Sequence, residues 1–262
     1  YAAALQYAQQ AAILAVETRT AGLTFFALES ATQVFRDLGQ YAEAMAYYER
    51  VLHDVRKTGN LSMTGMVLLY LGFYAHYLGD NARAQSCGQE ILHMGQVLDI
   101  KVVQEWAWIL VGRAMTDLGQ LNEAGDAFQQ ALGVGYSRNP QYQILIPAAL
   151  ARIALLKGET AVLQEALPCV EEILRYWETD PTLYNVHFEP FETCWTCYRL
   201  LKALHDPRAP EVLERVYALV QAQAARIKDP AHLRAFLENV TAHREIVAEW
   251  ERVHKCSSCG QP

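Results

Sequence analysis

Cysteine is the residue type in this sequence whose spacing most directly suggests chemistry. Cys194 and Cys197 form one C-x-x-C pair, and Cys256 and Cys259 form a second. Four thiolates can hold a tetrahedral zinc ion, and two can form a reversible disulfide. The pairs are fifty-eight residues apart, farther than in compact zinc modules, and the first falls within a predicted helix. We therefore expect apolar packing of the first pair and no metal, with a zinc- or redox-responsive module as the alternative.

The sequence contains none of the short motifs that define common catalytic or nucleotide sites. It has no G-x-x-x-x-G-K-[ST] loop, no G-x-S-x-G elbow and no H-E-x-x-H pair. Its eight histidines are scattered, and the two remaining cysteines, Cys87 and Cys169, are expected to be buried. We therefore predict that the chain is not an enzyme and takes no cofactor.

The composition indicates a folded protein with little attraction for polyanions. Of the 262 residues, 52% are hydrophobic and 19% are charged, and the formal net charge is −7. A negative net charge opposes binding to nucleic acid and to anionic lipid. The longest near-continuous apolar stretch, from Met66 to Ala75, is shorter than the roughly 18 to 20 residues that span a bilayer. We expect a cytoplasmic protein that binds neither nucleic acid nor membrane.

The start of the sequence has no signal peptide and no initiating methionine. It opens at Tyr1 with helical apolar spacing, and no basic region precedes a hydrophobic core. We expect the chain to be part of a longer polypeptide, in which a preceding segment carries a separate activity.

A period of forty residues organises the chain. Gly39, Gly79 and Gly119 each follow a leucine at this interval, and Gly158 follows thirty-nine residues later. In each unit a helical pattern runs up to the glycine, stops, and resumes on a second helical pattern. A glycine just past a helix end adopts the left-handed conformation that terminates the helix. Each unit is therefore predicted to be a helical hairpin.

A small residue follows each of the first three glycines after five positions, at Ala44, Ala84 and Ala124. Such a residue lets the second helix of a hairpin approach the first closely. The helices predicted from these patterns are 2–18, 22–38, 41–57, 61–78, 81–98, 101–118, 121–135, 141–157, 160–178, 189–204, 209–227 and 230–254.

The residues around the glycines resemble the tetratricopeptide repeat. The third unit matches its pattern of bulky, small and aromatic positions best, and the first two are comparable. The period of forty residues exceeds the usual length of about 34, and longer helices would account for the difference. The resemblance implies an all-α, right-handed superhelix (α-α solenoid) of about six helical hairpins with a C-terminal capping helix. The best-matching positions are Trp108, Val111, Gly112, Gly119, Ala124, Phe128 and Ala131.

The predicted organisation has a regular front and a looser back. Regular hairpins occupy residues 1–178, and an irregular loop or kink with two X-Pro dipeptides occupies 179–190. A degenerate hairpin plus the capping helix fills 191–254, where Asp229-Pro230 can start a helix. Residues 255–262 are expected to form a flexible tail.

The stretch from Arg226 also resembles the end of C-terminal repeat domains in large bacterial regulators, namely STAND-type NTPase transcriptional regulators, and in cyclase-like signalling proteins. This resemblance implies a sensor or scaffold domain for signal transduction that binds a protein, a peptide or a small-molecule inducer. A plain protein-interaction scaffold without switching is the alternative.

The resemblance to the tetratricopeptide repeat implies that the first helix of each hairpin lies on the concave, partner-binding surface. Aromatic and arginine side chains are the types that dominate binding energy at protein interfaces. The alternative for the apolar members is packing against a neighbouring hairpin. The residues expected to bind a partner are Phe26, Arg36, Phe73, His76, Tyr77, Trp106, Arg113 and Arg152.

Overall fold

The computed structural model describes residues 6, 7, 10, 21–98, 101–135, 144–179 and 189–258, with side chains except those of 21–27, 29, 96–98, 179 and 255–258. Within these residues the chain forms thirteen α-helices and no β-strand, which confirms the predicted all-α class. The chain divides into two compact units, unit 1 (Tyr1–Tyr136) and unit 2 (Ser137–Pro262).

Unit 1 consists of helical hairpins in which each helix packs against the next one along the chain. The helix Leu61–Tyr77 also packs against the helix Lys101–Asp117, so the first helices of two successive hairpins touch directly. The predicted boundaries agree with the structure to within one residue, and the predicted helix 2–18 lies outside the described residues except for positions 6, 7 and 10. The helices of unit 1 in the described part are α1 (Ala21–Asp37), α2 (Tyr41–Lys57), α3 (Leu61–Tyr77), α4 (Asn81–Leu98), α5 (Lys101–Asp117) and α6 (Leu121–Val134).

The turn inside each hairpin of unit 1 is a Schellman motif centred on glycine. Gly79 has φ 81°, in the left-handed region that a side chain would strain. Its N–H donates to the carbonyl of His76 at 2.9 Å, and the N–H of Asp80 donates to the carbonyl of Ala75 at 2.8 Å. The same pair of bonds recurs at Gly39 and Gly119. These bonds satisfy carbonyls that the end of the first helix leaves without partners.

Small residues allow the helices of unit 1 to pack closely. Ala44, Ala84 and Ala124 are each fully buried. A Cβ added at Gly72 of α3 would lie 2.4 Å from Cδ2 of Leu110 in α5. Because atoms in a folded core do not approach this closely, Gly72 is what permits the direct contact between these two first helices.

A buried tyrosine network joins the first three helices. The hydroxyl of Tyr48 in α2 donates to the carbonyl of Leu28 at 2.8 Å and contacts the hydroxyl of Thr32. The hydroxyl of Tyr74 in α3 donates to the carbonyl of Thr32 at 2.7 Å. Both tyrosines are fully buried, and their rings stack with centroids 5.6 Å apart. A buried aromatic hydroxyl with hydrogen-bond partners stabilises the packing and fixes its register.

Unit 2 packs around one apolar core, and two of its predicted helices are each broken in two. Pro168 interrupts the predicted helix 160–178 because proline has no N–H for the carbonyl four residues earlier. In place of the predicted capping helix 230–254, one helix ends at Glu238 and a second begins at Thr241. The helices of unit 2 in the described part are α7 (Leu145–Lys157), α8 (Thr160–Glu165), α9 (Leu167–Thr179), α10 (Pro190–Ala203), α11 (Ala209–Ala224), α12 (Pro230–Glu238) and α13 (Thr241–Ser258).

The boundary between the compact units precedes the irregular segment predicted at 179–190. Positions 180–188 of that segment lie outside the described residues, as do 259–262 of the predicted tail. Helix α13 extends through Ser258. The division into a regular front at 1–178 and a degenerate back at 191–254 stays a prediction.

Candidate partner-binding site

A continuous row of aromatic rings runs from the start of α2 across α3 to α5. The ring of Tyr41 lies 4.9 Å from that of Tyr77, and Phe73 lies 6.5 Å from Tyr77 and 6.0 Å from Trp106, measured between centroids. We call these four residues the aromatic row. Tyr41, Tyr77 and Trp106 are half-buried, whereas Phe73 is only 2% exposed. Three side chains of the row are therefore available to solvent, and Phe73 supports them from below.

Two of the predicted arginines lie beside this row and are half-exposed. Arg113 follows Trp106 by two helical turns, so both side chains project from the same side of α5. Arg36 lies in the last turn of α1, and its charge acts on Tyr74. Burial raises the pKa of Tyr74 far above its ordinary value, and the charge of Arg36 opposes that increase. The row thus combines half-exposed aromatic rings with guanidinium groups, the side-chain types enriched at binding hot spots.

His76 holds two hairpins together and offers little surface to a partner. The residue is 9% exposed. Its Nδ1 donates to Oδ1 of Asn81 at 3.0 Å and lies 3.4 Å from Oδ2 of Asp117 at the end of α5. Because both neighbours are oxygen acceptors, Nδ1 carries the proton. The structure therefore gives His76 a positioning role between the ends of the two first helices.

The two remaining predicted binding residues belong to other helices. Arg152 is a half-exposed residue of α7, in unit 2. Phe26 belongs to α1, but its side chain lies outside the described residues. Whether any predicted residue binds a partner stays a prediction. Tyr41 was absent from the prediction because it starts a second helix and only its ring contact with Tyr77 brings it to the row.

The first C-x-x-C pair, which the zinc alternative would use, is buried in the core of unit 2. Cys194 is 2% exposed and Cys197 is fully buried. Burial raises the pKa of the Cys194 thiol to about 12 and raises that of Cys197 well above its ordinary value. Because metals and oxidants react with the thiolate, these thiols favour packing over ligation. The side chain of Cys256 and the whole of Cys259 lie outside the described residues, so the metal alternative stays untested.

The described residues contain no cluster of three or more metal-ligating side chains. Burial also raises the pKa of the Cys87 thiol to about 11 and raises that of Cys169. Cys87 is buried as expected, whereas Cys169 is only half-buried.

Unit 2 repeats the hairpin turn of unit 1 with histidine in place of glycine. His205 has φ 54°, and its N–H donates to the carbonyl of Lys202 at 3.1 Å while that of Asp206 donates to the carbonyl of Leu201 at 2.9 Å. The segment Leu204-His205-Asp206 therefore matches Leu78-Gly79-Asp80 in sequence and hydrogen bonding. This tripeptide was the sequence signal for a repeat register in α10, but a search for glycine misses it.

The register of α10 places Trp195 and Lys202 at the positions that Leu69 and His76 occupy in α3, and Tyr198 at that of Gly72. All three side chains of α10 contact α13, which covers Trp195 and Tyr198. Trp195 donates from Nε1 to Glu245 at 2.7 Å, Tyr198 donates to Glu249 at 2.5 Å, and Lys202 donates to Glu249 at 2.6 Å.

Glu249 is the centre of this contact. Arg252 donates to both of its oxygens, from Nε at 2.7 Å and from Nη2 at 2.8 Å. The hydrogen bonds from Arg252, followed by those from Lys202 and Tyr198, hold the pKa of this carboxyl far below its ordinary value. Burial, together with the neighbouring carboxylate, raises the pKa of Tyr198. The carboxylate therefore stays ionised and Tyr198 stays a hydrogen-bond donor.

Comparison with known proteins defines the class of the molecule. Residues 33–52, which span the end of α1 and most of α2, match the model of the tetratricopeptide repeat. No curated protein matches the chain. Together with the helical hairpins, the match identifies a tetratricopeptide-like, all-helical repeat protein.

A solved structure shares this fold. The chain is similar to BtubC (BKLC) from P. vanneervenii, with 15% sequence identity and a TM-score of 0.51 over 87% of this chain and 94% of the other. At this identity the likeness concerns the fold alone. No helix in the described part of the chain is long and apolar enough to cross a membrane.

Proposed function

We propose that unit 1 binds a protein or peptide segment across the aromatic row, as a non-catalytic interaction domain. Tetratricopeptide repeats are typical of protein-interaction scaffolds, and residues 33–52 match that repeat. The observation that carries the proposal is the half-exposure of Tyr41, Tyr77 and Trp106 in one continuous row. Large, rigid aromatic side chains at a surface supply binding energy at a low entropic cost.

The broader role we propose is that of a cytoplasmic sensor or scaffold domain in a bacterial multidomain signalling or transcriptional regulator. Its support is the sequence resemblance of the stretch from Arg226 onward. Binding of a protein, a peptide or a small inducer would shift the population of a preceding module between resting and active states. A scaffold without switching is the simpler alternative, and it needs only the aromatic row.

The experiment selects binding peptides from a random peptide library displayed on phage, with the purified chain as bait. Selected peptides are then synthesised and their Kd measured by calorimetry against the wild-type chain, Trp106→Ala and Arg113→Ala. Truncation of a hot-spot residue typically costs about 2 kcal/mol, which corresponds to roughly a thirty-fold increase in Kd.

Matched controls separate binding from folding. Trp250→Ala removes a half-exposed tryptophan of unit 2, and Arg50→Ala removes an exposed arginine of α2. Neither should change the Kd by more than about two-fold, because neither belongs to the aromatic row. Peptides whose Kd is unaffected by Trp106→Ala and Arg113→Ala in folded protein, or a failure to select any peptide, would contradict the proposal.

A further inference from the structure

The terminal helix pair, α12 and α13, contains a buried histidine at its joint. His243 is only 3% exposed. The ring of Phe191 from α10 lies 4.5 Å from the imidazole, and the ring of Phe236 from α12 lies 4.2 Å from it, measured between centroids. Its Nδ1 donates to the carbonyl of Phe236 at 2.7 Å, which satisfies a carbonyl left open near the end of α12. The imidazole thus joins α10, α12 and α13 at one point.

The surroundings of His243 offer no counterion for a positive charge. The faces presented by α10 and α12 are phenylalanine rings, and no charged side chain of the described residues influences its pKa. On its own helix, Arg244 donates to the carbonyl of Glu238 and Glu245 accepts from Trp195. Glu192, the residue after Phe191 in α10, does not influence the pKa of His243 either. A proton added to this ring would therefore leave an unpaired charge in an apolar site.

The docking of α13 on α10 decides whether Trp195 and Tyr198 are covered. These side chains are 6% and 4% exposed, respectively, and the contacts that cover them come from Glu245 and Glu249. Lys202 also donates a hydrogen bond to Glu249. Separation of α13 would expose the rings of Trp195 and Tyr198.

We propose that His243 makes the terminal helix pair an acid-sensitive cover over α10, which opens when the imidazole is protonated. This inference goes beyond the proposed function and does not depend on it. Opening places the imidazole in water, where it accepts a proton freely. The proton therefore favours the open state, in which Trp195 and Tyr198 are exposed.

The pH window follows from the direction of the pKa change. Burial lowers the pKa of His243 from 6.5 to about 4. Between these values the open state binds a proton that the closed state does not, so closure weakens as pH falls through 6.5 and the effect is complete below about 4. The carboxylate of Glu249 stays ionised in the closed state, and above about pH 5 it is largely ionised in the open state as well, since an unperturbed Glu has a pKa of about 4.3. The change is therefore assigned to the imidazole and not to the contact with Lys202.

Hydrogen exchange read by mass spectrometry tests the proposal. Exchange of residues 241–250 is measured at about pH 7.5 and about pH 5 and corrected for the intrinsic chemical rates. With pKa values of 6.5 and about 4, the population of the open state should rise about thirty-fold at the lower pH. Exchange in α3 of unit 1 should not rise comparably.

Two variants give the test its control. In His243→Asn the side-chain amide can still donate to the carbonyl of Phe236 but cannot be protonated, so the increase should disappear. In His53→Asn an exposed histidine is removed, so the increase should persist. An equal increase in His243→Asn, no increase in the wild type, or an equal increase in α3 would each overturn the proposal.

Discussion

The two units use the same hairpin turn but present different surfaces from their first helices. In unit 1 the turn residue is glycine, and a row of half-exposed rings that includes Tyr77 and Trp106 remains open to solvent. In unit 2 the turn residue after α10 is His205, and Trp195 is covered by α13. The difference shows that one hairpin geometry can leave aromatic side chains accessible to solvent or have them covered by a later helix.

The largest expected effect comes from placing tyrosine, the residue at position 198 of α10, at the equivalent position of α3, Gly72. In Gly72→Tyr a ring would occupy the space where a Cβ alone lies 2.4 Å from Leu110. Overpacking of this kind costs about 3 kcal/mol or more of unfolding free energy. Urea denaturation measures the loss. Gly125→Ala is the control, since nothing lies within 4 Å of the added methyl group, and it should stabilise α6 by up to about 1 kcal/mol. A folded, equally stable Gly72→Tyr would show that close first-helix contact is not required.

A smaller loss is expected from removing the charge that closes unit 2. Glu249→Gln keeps the shape of the side chain but removes the charge that Lys202 and Arg252 contact. Hydrogen bonds to a charged group contribute about 1.5 to 3 kcal/mol each when buried, and partial exposure reduces the sum, so a net loss of about 1 to 2 kcal/mol is expected. The measurement is the urea midpoint of the full chain. The matched variant Glu214→Gln, at an exposed position of α11, should leave it unchanged, and a similar loss in both would refute the role of Glu249.

The turn residues can be exchanged between the units with opposite outcomes. His205→Gly should raise the unfolding free energy by up to about 1 kcal/mol, because glycine adopts a positive φ without strain. Gly79→His should lower it by about 1 kcal/mol for the same reason. Thermal denaturation of both variants provides the measurement. If both exchanges shift stability in the same direction, the two turns are not equivalent.

The smallest effect is expected at the ion pairs between second helices of unit 1. Glu90 lies 2.6 Å from Arg56, and both side chains are about half-exposed. Exposed pairs contribute little, so Glu90→Gln should change the unfolding free energy by no more than about 0.5 kcal/mol, and 1 M salt should abolish the difference. A loss of about 2 kcal/mol would contradict the small contribution expected of an exposed ion pair.

Much of unit 1 could be predicted from local sequence because its helix ends depend on glycine. The forty-residue glycine interval predicted every helix boundary between Ala21 and Val134 to within one residue. His205 adopts the same turn without glycine, so the pattern concealed the register of α10. The sequence pattern also did not predict the break between Glu238 and Thr241. The end of α12 leaves carbonyls without helical partners, and the side chains of His243 and Arg244 in the following helix donate to them.

The candidate site was predicted less well because burial depends on neighbouring hairpins. Phe73 and His76 were expected to face a partner, yet both are buried and contact α5 through Trp106 and Asp117. Periodicity identifies the face of a helix on which a residue lies but not how closely the next helix approaches it. The role of Gly72 in that approach becomes apparent only when its distance to Leu110 is known.

The most direct test of the central claim compares the accessibility of two tryptophans. Hydroxyl-radical labelling of the native chain, read by mass spectrometry at each residue, reports side-chain exposure. Trp106 is half-exposed and Trp195 is 6% exposed, so Trp106 should be oxidised several-fold faster and Trp195 should gain reactivity in Glu249→Gln. Equal labelling of the two in the native chain would contradict the account of an open unit 1 and a self-covered unit 2.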